Sequence, residues 1–278
     1  MGRTFPRLDH VALTDTRDTL HAYARVLGGW LTACRPERKH WWQGSLTPSV
    51  RGVTTGAVYA GPDFELELNL LNSQLLARTA QGQELVDALT GQPADGVGHR
   101  IQDFLIGSGL DKRFVPEDSE QHDGPAASDR YSAECARAIA AAWRAVAGTL
   151  QEFQAGIREE SSAIQIWPHH FDLAMTWLPG DKVPGQDPTN AGYADKQMGF
   201  GFALGDMTIP EPYFYVTAYP LPETLPAVPL PPGTVWHTEG FQGAVLRYQF
   251  LADSADPSGY LLDLCKGLLS AGREQMRK

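Results

Sequence analysis

The chain has 278 residues, of which 42% are hydrophobic and 20% charged; this composition excludes a disordered chain and allows a substantial buried core. Its formal net charge of -10 and the lack of any run of lysines and arginines argue against nucleic-acid binding. Because no apolar run is long enough to cross a bilayer and the N-terminus lacks a signal-peptide pattern, the sequence predicts a cytoplasmic protein without a membrane partner. Its three cysteines lie far apart, which favours buried, reduced thiols within helices: Cys34, Cys135 and Cys265.

The first half of the sequence predicts a helix, extended chain, a hairpin and a second helix. Apolar residues recur at helical spacing over residues 15–35, and residues 41–55 are typical of extended structure. Strict alternation over residues 64–70, followed by a turn at Asn72 and Ser73, predicts a β-hairpin that returns through residues 74–78. A shorter helix is expected over residues 98–106.

The second half repeats this order of elements. An alanine-rich amphipathic pattern predicts a helix over residues 131–157, and the last helix should begin at Pro257 with Asp256 as its cap. Between them the sequence predicts extended segments at residues 164–177, 200–204, 213–219 and 235–250. The proline-rich residues 220–233 are expected to form an extended surface connection.

These patterns predict an α+β fold of antiparallel sheets with flanking helices. The repeated order of elements indicates two related halves with pseudo-twofold symmetry, at residues 1–110 and 131–278, joined by a polar linker at residues 111–130. Residues 15–110 and 131–275 should then superpose. We expect a monomer or a dimer, because no long apolar seam is evident.

Three segments resemble a family of uncharacterised bacterial proteins catalogued as a domain of unknown function. They are IWPHHFDLA at residues 166–174, EPYFYVTAYPLP at residues 211–222 and WHTEGFQGAVL at residues 236–246. The first-half segments TLHAYARVLGGW and RGVTTG resemble it as well, so the similarity covers most of the chain. The resemblance implies no activity and assigns no role to any residue.

Two histidine and carboxylate pairs carry the chemistry that the sequence offers. In an extended chain, residues two apart share a face, so His170 should project with Asp172 and His237 with Glu239. If the two strands are neighbours, the four side chains could bind a divalent transition metal. Without a metal they could act as acid and base, or they could simply be structural hydrogen-bonded pairs.

Aromatic side chains around these pairs favour a small, partly aromatic or apolar ligand. The candidates for contacting it are His169, Trp167, Tyr213, Tyr215 and Trp236. Glu211, between prolines, is a further candidate for a catalytic base or ligand, or a turn-capping carboxylate. The glycines in MGFGFALGD do not have the context of a nucleotide-binding loop.

The sequence therefore supports two hypotheses of function. In the first, the protein acts on or binds a small molecule through the histidine and carboxylate cluster, with or without a divalent metal, and it need not be an enzyme. In the second, it is a non-catalytic binding or sensing protein whose histidine and acid pairs are purely structural.

Overall fold

The computed structural model describes residues 3–117 and 125–276. The predicted linker at 111–130 lies partly outside this range, at residues 118–124. The chain divides into two compact units, and their bounds differ from those of the predicted halves. The division falls within one long helix, after Ala140, and a short later segment, residues 166–171, joins the earlier unit.

The earlier unit, here called the five-stranded unit, comprises residues 11–117, 125–140 and 166–171 of the described chain. Its strands form one antiparallel meander in the order β1-β2-β3-β4-β5. Its elements are α1 (His10–Cys34), a 3-10 turn (Lys39–Gly44), β1 (Thr47–Pro48), β2 (Gly52–Thr54), β3 (Phe64–Asn69), β4 (Gln74–Thr79), β5 (Glu84–Ala88), α2 (Ala94–Gly107) and a second 3-10 turn (Lys112–Phe114).

Helix α1 supplies much of the core of the five-stranded unit. Its apolar residues recur every three or four positions and are fully buried, among them Leu20, Tyr23, Leu27 and Trp30. The Trp30 ring meets the Phe64 ring of β3 edge-on, with 6.2 Å between centroids. The predicted helix, the hairpin of β3 and β4, and helix α2 are all confirmed.

The later unit, here called the seven-stranded unit, contains residues 3–10, 141–165 and 172–276 of the described chain. Six strands of its sheet run antiparallel in the order β11-β12-β10-β9-β8-β6. The elements are α3 (Ala133–Ala155), β6 (Glu160–Ser161), β7 (Gln165–Trp167), β8 (Asp172–Leu178), β9 (Gln197–Ala203), β10 (Tyr213–Tyr219), β11 (Thr234–His237), β12 (Gly243–Arg247), α4 (Tyr248–Ala252) and α5 (Pro257–Met276). The start of α3, up to residue 140, and residues 166–167 of β7 belong to the five-stranded unit.

The two faces of the seven-stranded sheet differ in composition, because alternate residues of a strand point to opposite sides. One face carries large apolar side chains, all of them buried: Leu173, Met175, Trp177, Met198, Phe200, Phe202, Phe214 and Val216. The other, here called the Tyr215 face, carries small, polar and aromatic residues: Asp172, Ala174, Thr176, Gly199, Gly201, Ala203, Tyr213, Tyr215 and Thr217. The first face forms the core, with Phe153 of α3 against Phe200, 4.8 Å between centroids.

The end of the chain follows the predicted pattern, with one unexpected feature. The Asp256 side chain accepts a hydrogen bond from the Gly259 backbone, 3.0 Å, and Pro257 opens α5, as predicted. The proline-rich segment 220–233 contains a 3-10 turn (Leu225–Ala227), and the Leu225 side chain is buried. This segment is therefore anchored rather than a fully exposed arm.

The predicted fold class is confirmed: the protein is α+β, with helices and two antiparallel sheets. Superposition of the two halves stays a prediction. Among the described residues, no helix has the length and apolar character needed to span a membrane. All three cysteines lie in helices, as predicted, although only Cys265 is buried.

Candidate functional site

The segment that contains His169 and His170 is a turn, not a strand. Strand β7 ends at Trp167 and β8 begins at Asp172, and Phe171 between them has a φ of 53°. Both histidines are exposed, whereas Asp172 is 5% exposed. The expectation that His170 and Asp172 project from one face of an extended segment is therefore wrong, because the rule of alternation holds only within a strand.

Within the five-stranded unit, this turn is fixed on helix α1. Pro168 packs so closely on Gly28 that a Cβ there would lie 2.7 Å from the proline Cγ. The His21 Nε2 donates to the His169 carbonyl oxygen, 3.1 Å, and the His21 ring stacks on Phe171 with 5.4 Å between centroids. His169 thus contributes its backbone to a structural contact that the sequence analysis did not foresee.

Burial lowers the pKa of His21 from 6.5 to about 4, and this effect outweighs the backbone carbonyls of Pro168 and His169, which raise it. The imidazole is therefore neutral at physiological pH. Because a carbonyl oxygen can only accept, the ring proton lies on Nε2.

The depressed pKa of His21 predicts a loss of stability in acid. The folded state binds this proton more weakly than the unfolded state, so the free energy of unfolding should fall as pH falls from about 6.5 to about 4. NMR titration of the ring should give a midpoint near pH 4, and His21→Gln should remove this part of the pH dependence. A midpoint near 6.5 would contradict the burial argument.

The central feature of the Tyr215 face is a hydrogen bond that crosses a whole strand. Tyr215 of β10 donates its hydroxyl proton to the Asp172 Oδ2 of β8. Its ring lies over Gly201 of the intervening strand β9, where a Cβ would be 2.7 Å from Tyr215 Cε1 and closer still to Cζ. Only glycine at position 201 leaves room for this arrangement.

A second phenol and carboxylate pair lies beside the first. Tyr213 donates to Asp206 Oδ2, 2.6 Å. Asp206 Oδ1 accepts from the backbone N–H groups of Thr208 and Ile209, at 2.7 and 2.8 Å, which closes the turn after β9. The Tyr213 and Tyr215 ring centroids are 6.2 Å apart, so the two pairs form one cluster.

Phe241, in the turn between β11 and β12, joins this cluster to His237. Its ring centroid is 6.2 Å from those of both tyrosines and 4.7 Å from that of His237. His237 lies opposite Gly243 in the sheet, and its Nε2 is 2.6 Å from the backbone oxygen of Glu239. The backbone of Glu239 rather than its carboxylate makes this contact, and its side chain is exposed.

The remaining predicted residues have other partners or positions. Trp236 is on the opposite side of β11 from His237, and its Nε1 donates to the Val228 carbonyl, 3.3 Å. Glu211 forms an ion pair with Arg247, 2.8 Å. Trp167 belongs to the five-stranded unit with His169 and His170.

No three histidine, cysteine or acidic side chains within residues 3–117 and 125–276 are grouped so that they could hold a metal ion. Of the four predicted ligands, Asp172, His237 and Glu239 lie in the seven-stranded unit and His170 in the other. Metal binding by these residues stays a prediction, which elemental mass spectrometry of the purified protein tests.

The cluster holds its two phenols in the protonated form. Burial raises the pKa of Tyr215 well above 10, and the charge of Asp172 and its hydrogen bond raise it further. Burial and the hydrogen bond to Asp206 raise the pKa of Tyr213 in the same way. Both tyrosines can therefore orient a ligand, but neither is suited to act as a base near neutral pH.

Asp206, the contacts of Phe241 and the role of Gly201 were not predicted from the sequence. A signal for the last was present, because β9 alternates large residues with glycine and alanine in QMGFGFA. Such alternation indicates a strand with one crowded face and one face over which another side chain can lie. The contacts of Asp206 and Phe241 depend on loops, for which the sequence held no comparable signal.

The fold and this cluster define a class: an α+β protein with two antiparallel sheets, the larger of which carries aromatic and acidic side chains on one face. Residues 5–277 match a family of unknown function (DUF5996), so the chain belongs to that family. The predicted resemblance to a family of unknown function is thereby confirmed. No curated protein and no solved structure matches the chain.

Proposed function

We propose that the protein binds a small, partly aromatic or apolar molecule on the Tyr215 face. The site is built from Asp172, Tyr213, Tyr215, His237 and Phe241. The observation that carries this proposal is the Tyr215 ring lying across Gly201 to reach Asp172, which places a buried carboxylate on the face opposite the helical core. Small-molecule sites commonly combine apolar walls with a few such convergent polar groups.

The composition of the Tyr215 face supports binding over simple packing. Tyr215, Phe241 and His237 are all partly exposed, so the cluster is not fully enclosed. The neighbouring apolar residues Ala203, Ile209 and Val245 are buried and hold the rings in place. Rigid aromatic rings lose little conformational entropy when a ligand contacts them, which favours binding at such a surface.

If the protein is an enzyme, His237 is the cluster residue that would transfer a proton, because an imidazole can both donate and accept one. In the neutral imidazole, the contact of Nε2 with the Glu239 carbonyl places the proton on Nε2 and leaves Nδ1 as an acceptor. Tyr215, held protonated by Asp172, would then orient the substrate. Turnover is a second step of the proposal, and binding does not depend on it.

Binding can be tested with a library of small aromatic fragments of all charge types, measured by saturation-transfer NMR. We expect fragments that bind the wild type to lose about tenfold in affinity in Tyr215→Phe and His237→Ala, as is usual when one polar contact is removed. Tyr131→Phe and His99→Ala make matching changes in the five-stranded unit and should leave binding unchanged.

Two outcomes would contradict the proposal. The first is a library without a binder, and the second is a set of binders whose affinity is the same in Tyr215→Phe, His237→Ala and the controls. Either result would favour the structural alternative, in which the two phenol and carboxylate pairs only fasten strands and turns together.

A further inference from the structure

The direction of the hydrogen bonds in the cluster specifies what kind of ligand it can complement. Tyr213 and Tyr215 both donate their hydroxyl protons to carboxylates, Asp206 and Asp172. Each phenol oxygen therefore presents lone pairs, not a proton, to a ligand. His237 points its Nε2 at a carbonyl, so its free ring nitrogen in the neutral form is an acceptor as well.

Both acidic side chains of the cluster, Asp172 and Asp206, carry the same sign of charge. Asp206 accepts only neutral donors in its three hydrogen bonds, from the Tyr213 hydroxyl and two backbone N–H groups, so its negative charge is not cancelled by them. Arg247 lies opposite Tyr213 in the sheet, but it is paired with Glu211 at 2.8 Å. The local field thus favours a cation and opposes an anion.

The aromatic rings provide a third attraction that favours a cation. Tyr213, Tyr215 and Phe241 lie with all three centroid separations equal to 6.2 Å, and ring faces attract ammonium groups through their quadrupoles. The acceptor atoms, the negative charge and the ring faces therefore all favour a cationic ligand.

We infer that the ligand of the Tyr215 face is an organic cation with N–H donors, such as a primary amine attached to an aromatic or apolar group. The ammonium would lie between the two carboxylate pairs, and the apolar part would contact Phe241 and the tyrosine rings. This inference rests on the proposed binding function and specifies its ligand class.

Four probes that share a benzyl or phenyl group separate these contributions: benzylamine, benzyltrimethylammonium, benzyl alcohol and benzoate. Measured by saturation-transfer NMR, benzylamine should bind at least about tenfold more tightly than benzoate, since a charge-assisted hydrogen bond is lost and a repulsion gained. Benzyltrimethylammonium, which keeps the charge but has no N–H donor, should fall between the two.

Substitution of the two aspartates tests whether they are responsible for the preference for benzylamine. Asp172→Asn and Asp206→Asn should each weaken benzylamine binding by about tenfold while changing benzyl alcohol binding little. Because Asp206 is exposed, its variant keeps the test decisive even if Asp172→Asn fails to fold. Glu223→Gln removes an exposed charge elsewhere in the same unit and should have no effect.

The inference is overturned if benzoate binds as tightly as benzylamine, if both aspartate variants bind benzylamine like the wild type, or if benzylamine does not bind. The proposed binding function has a separate outcome. Neutral or anionic fragments that depend on Tyr215 and His237 would keep that function and reject only the cationic ligand class.

Discussion

Gly201→Ala is expected to lower the free energy of unfolding by about 3 kcal/mol, which combines overpacking with the loss of a buried hydrogen bond. The new Cβ would overlap the Tyr215 ring, at 2.7 Å from Cε1, and β9 is held between two other strands. The ring must move, and the Asp172 carboxylate, which is 5% exposed, then loses its hydrogen bond from the Tyr215 hydroxyl. Urea unfolding followed by circular dichroism measures the change.

A matched glycine in the same unit provides the control. Gly267 lies within α5, and a Cβ added there would meet nothing within 4 Å, so Gly267→Ala should be neutral or stabilising by about 0.5–1 kcal/mol. The double variant Gly201→Ala, Tyr215→Leu should lose less stability than the sum of the two single variants, because without the Tyr215 ring the new Cβ has nothing to overlap. Equal effects of Gly201→Ala and Gly267→Ala would contradict the crossing geometry.

Gly28→Ala is expected to cost about 2 kcal/mol, because the Cβ would lie 2.7 Å from Pro168 Cγ and 2.9 Å from its Cβ. The proline belongs to the turn at 168–171, so the turn should shift from α1 and weaken the hydrogen bond between His21 and the His169 carbonyl. Thermal unfolding gives the stability, and the NMR midpoint of His21 should rise as its ring gains water.

The next residue of the same helix is the control for this change. At Gly29 a Cβ would be 3.5 Å from Pro116 Cβ, an ordinary contact, so Gly29→Ala should be neutral or slightly stabilising. The two variants differ only in the helix side that receives a methyl group. If they are equally stable, the close approach of Pro168 is not a constraint.

The sequence predicted the elements whose pattern is local. Helices α1 and α3 and the hairpin of β3 and β4 have long runs of one periodicity. Helix α3 and the hairpin formed close to their predicted bounds, whereas α1 begins at His10, before its predicted start at residue 15. Strand β5, with its exposed Glu84, and the five-residue helix α4 were missed, because short elements with mixed exposure carry little periodic signal.

The candidate site was predicted only in part. Tyr213, Tyr215 and Asp172 do meet, because β8 and β10 flank the same strand, yet the predicted partner of Asp172 was His170. The backbone of Phe171 is in the left-handed region, so the chain turns there instead of continuing as the expected strand. Bulky residues rarely adopt that conformation. The partners of a side chain across a sheet depend on strand register and on how the loops close. Spacing within one strand does not predict either.

The position of residues 166–171 also affects how the protein is made. They complete the five-stranded unit, although 25 residues of the other unit, 141–165, precede them in the chain. A nascent chain on the ribosome therefore cannot close the contact of Pro168 with α1 until part of the seven-stranded unit has already emerged. Segments of the two units alternate along the chain, so neither unit is one uninterrupted stretch that could be expressed separately.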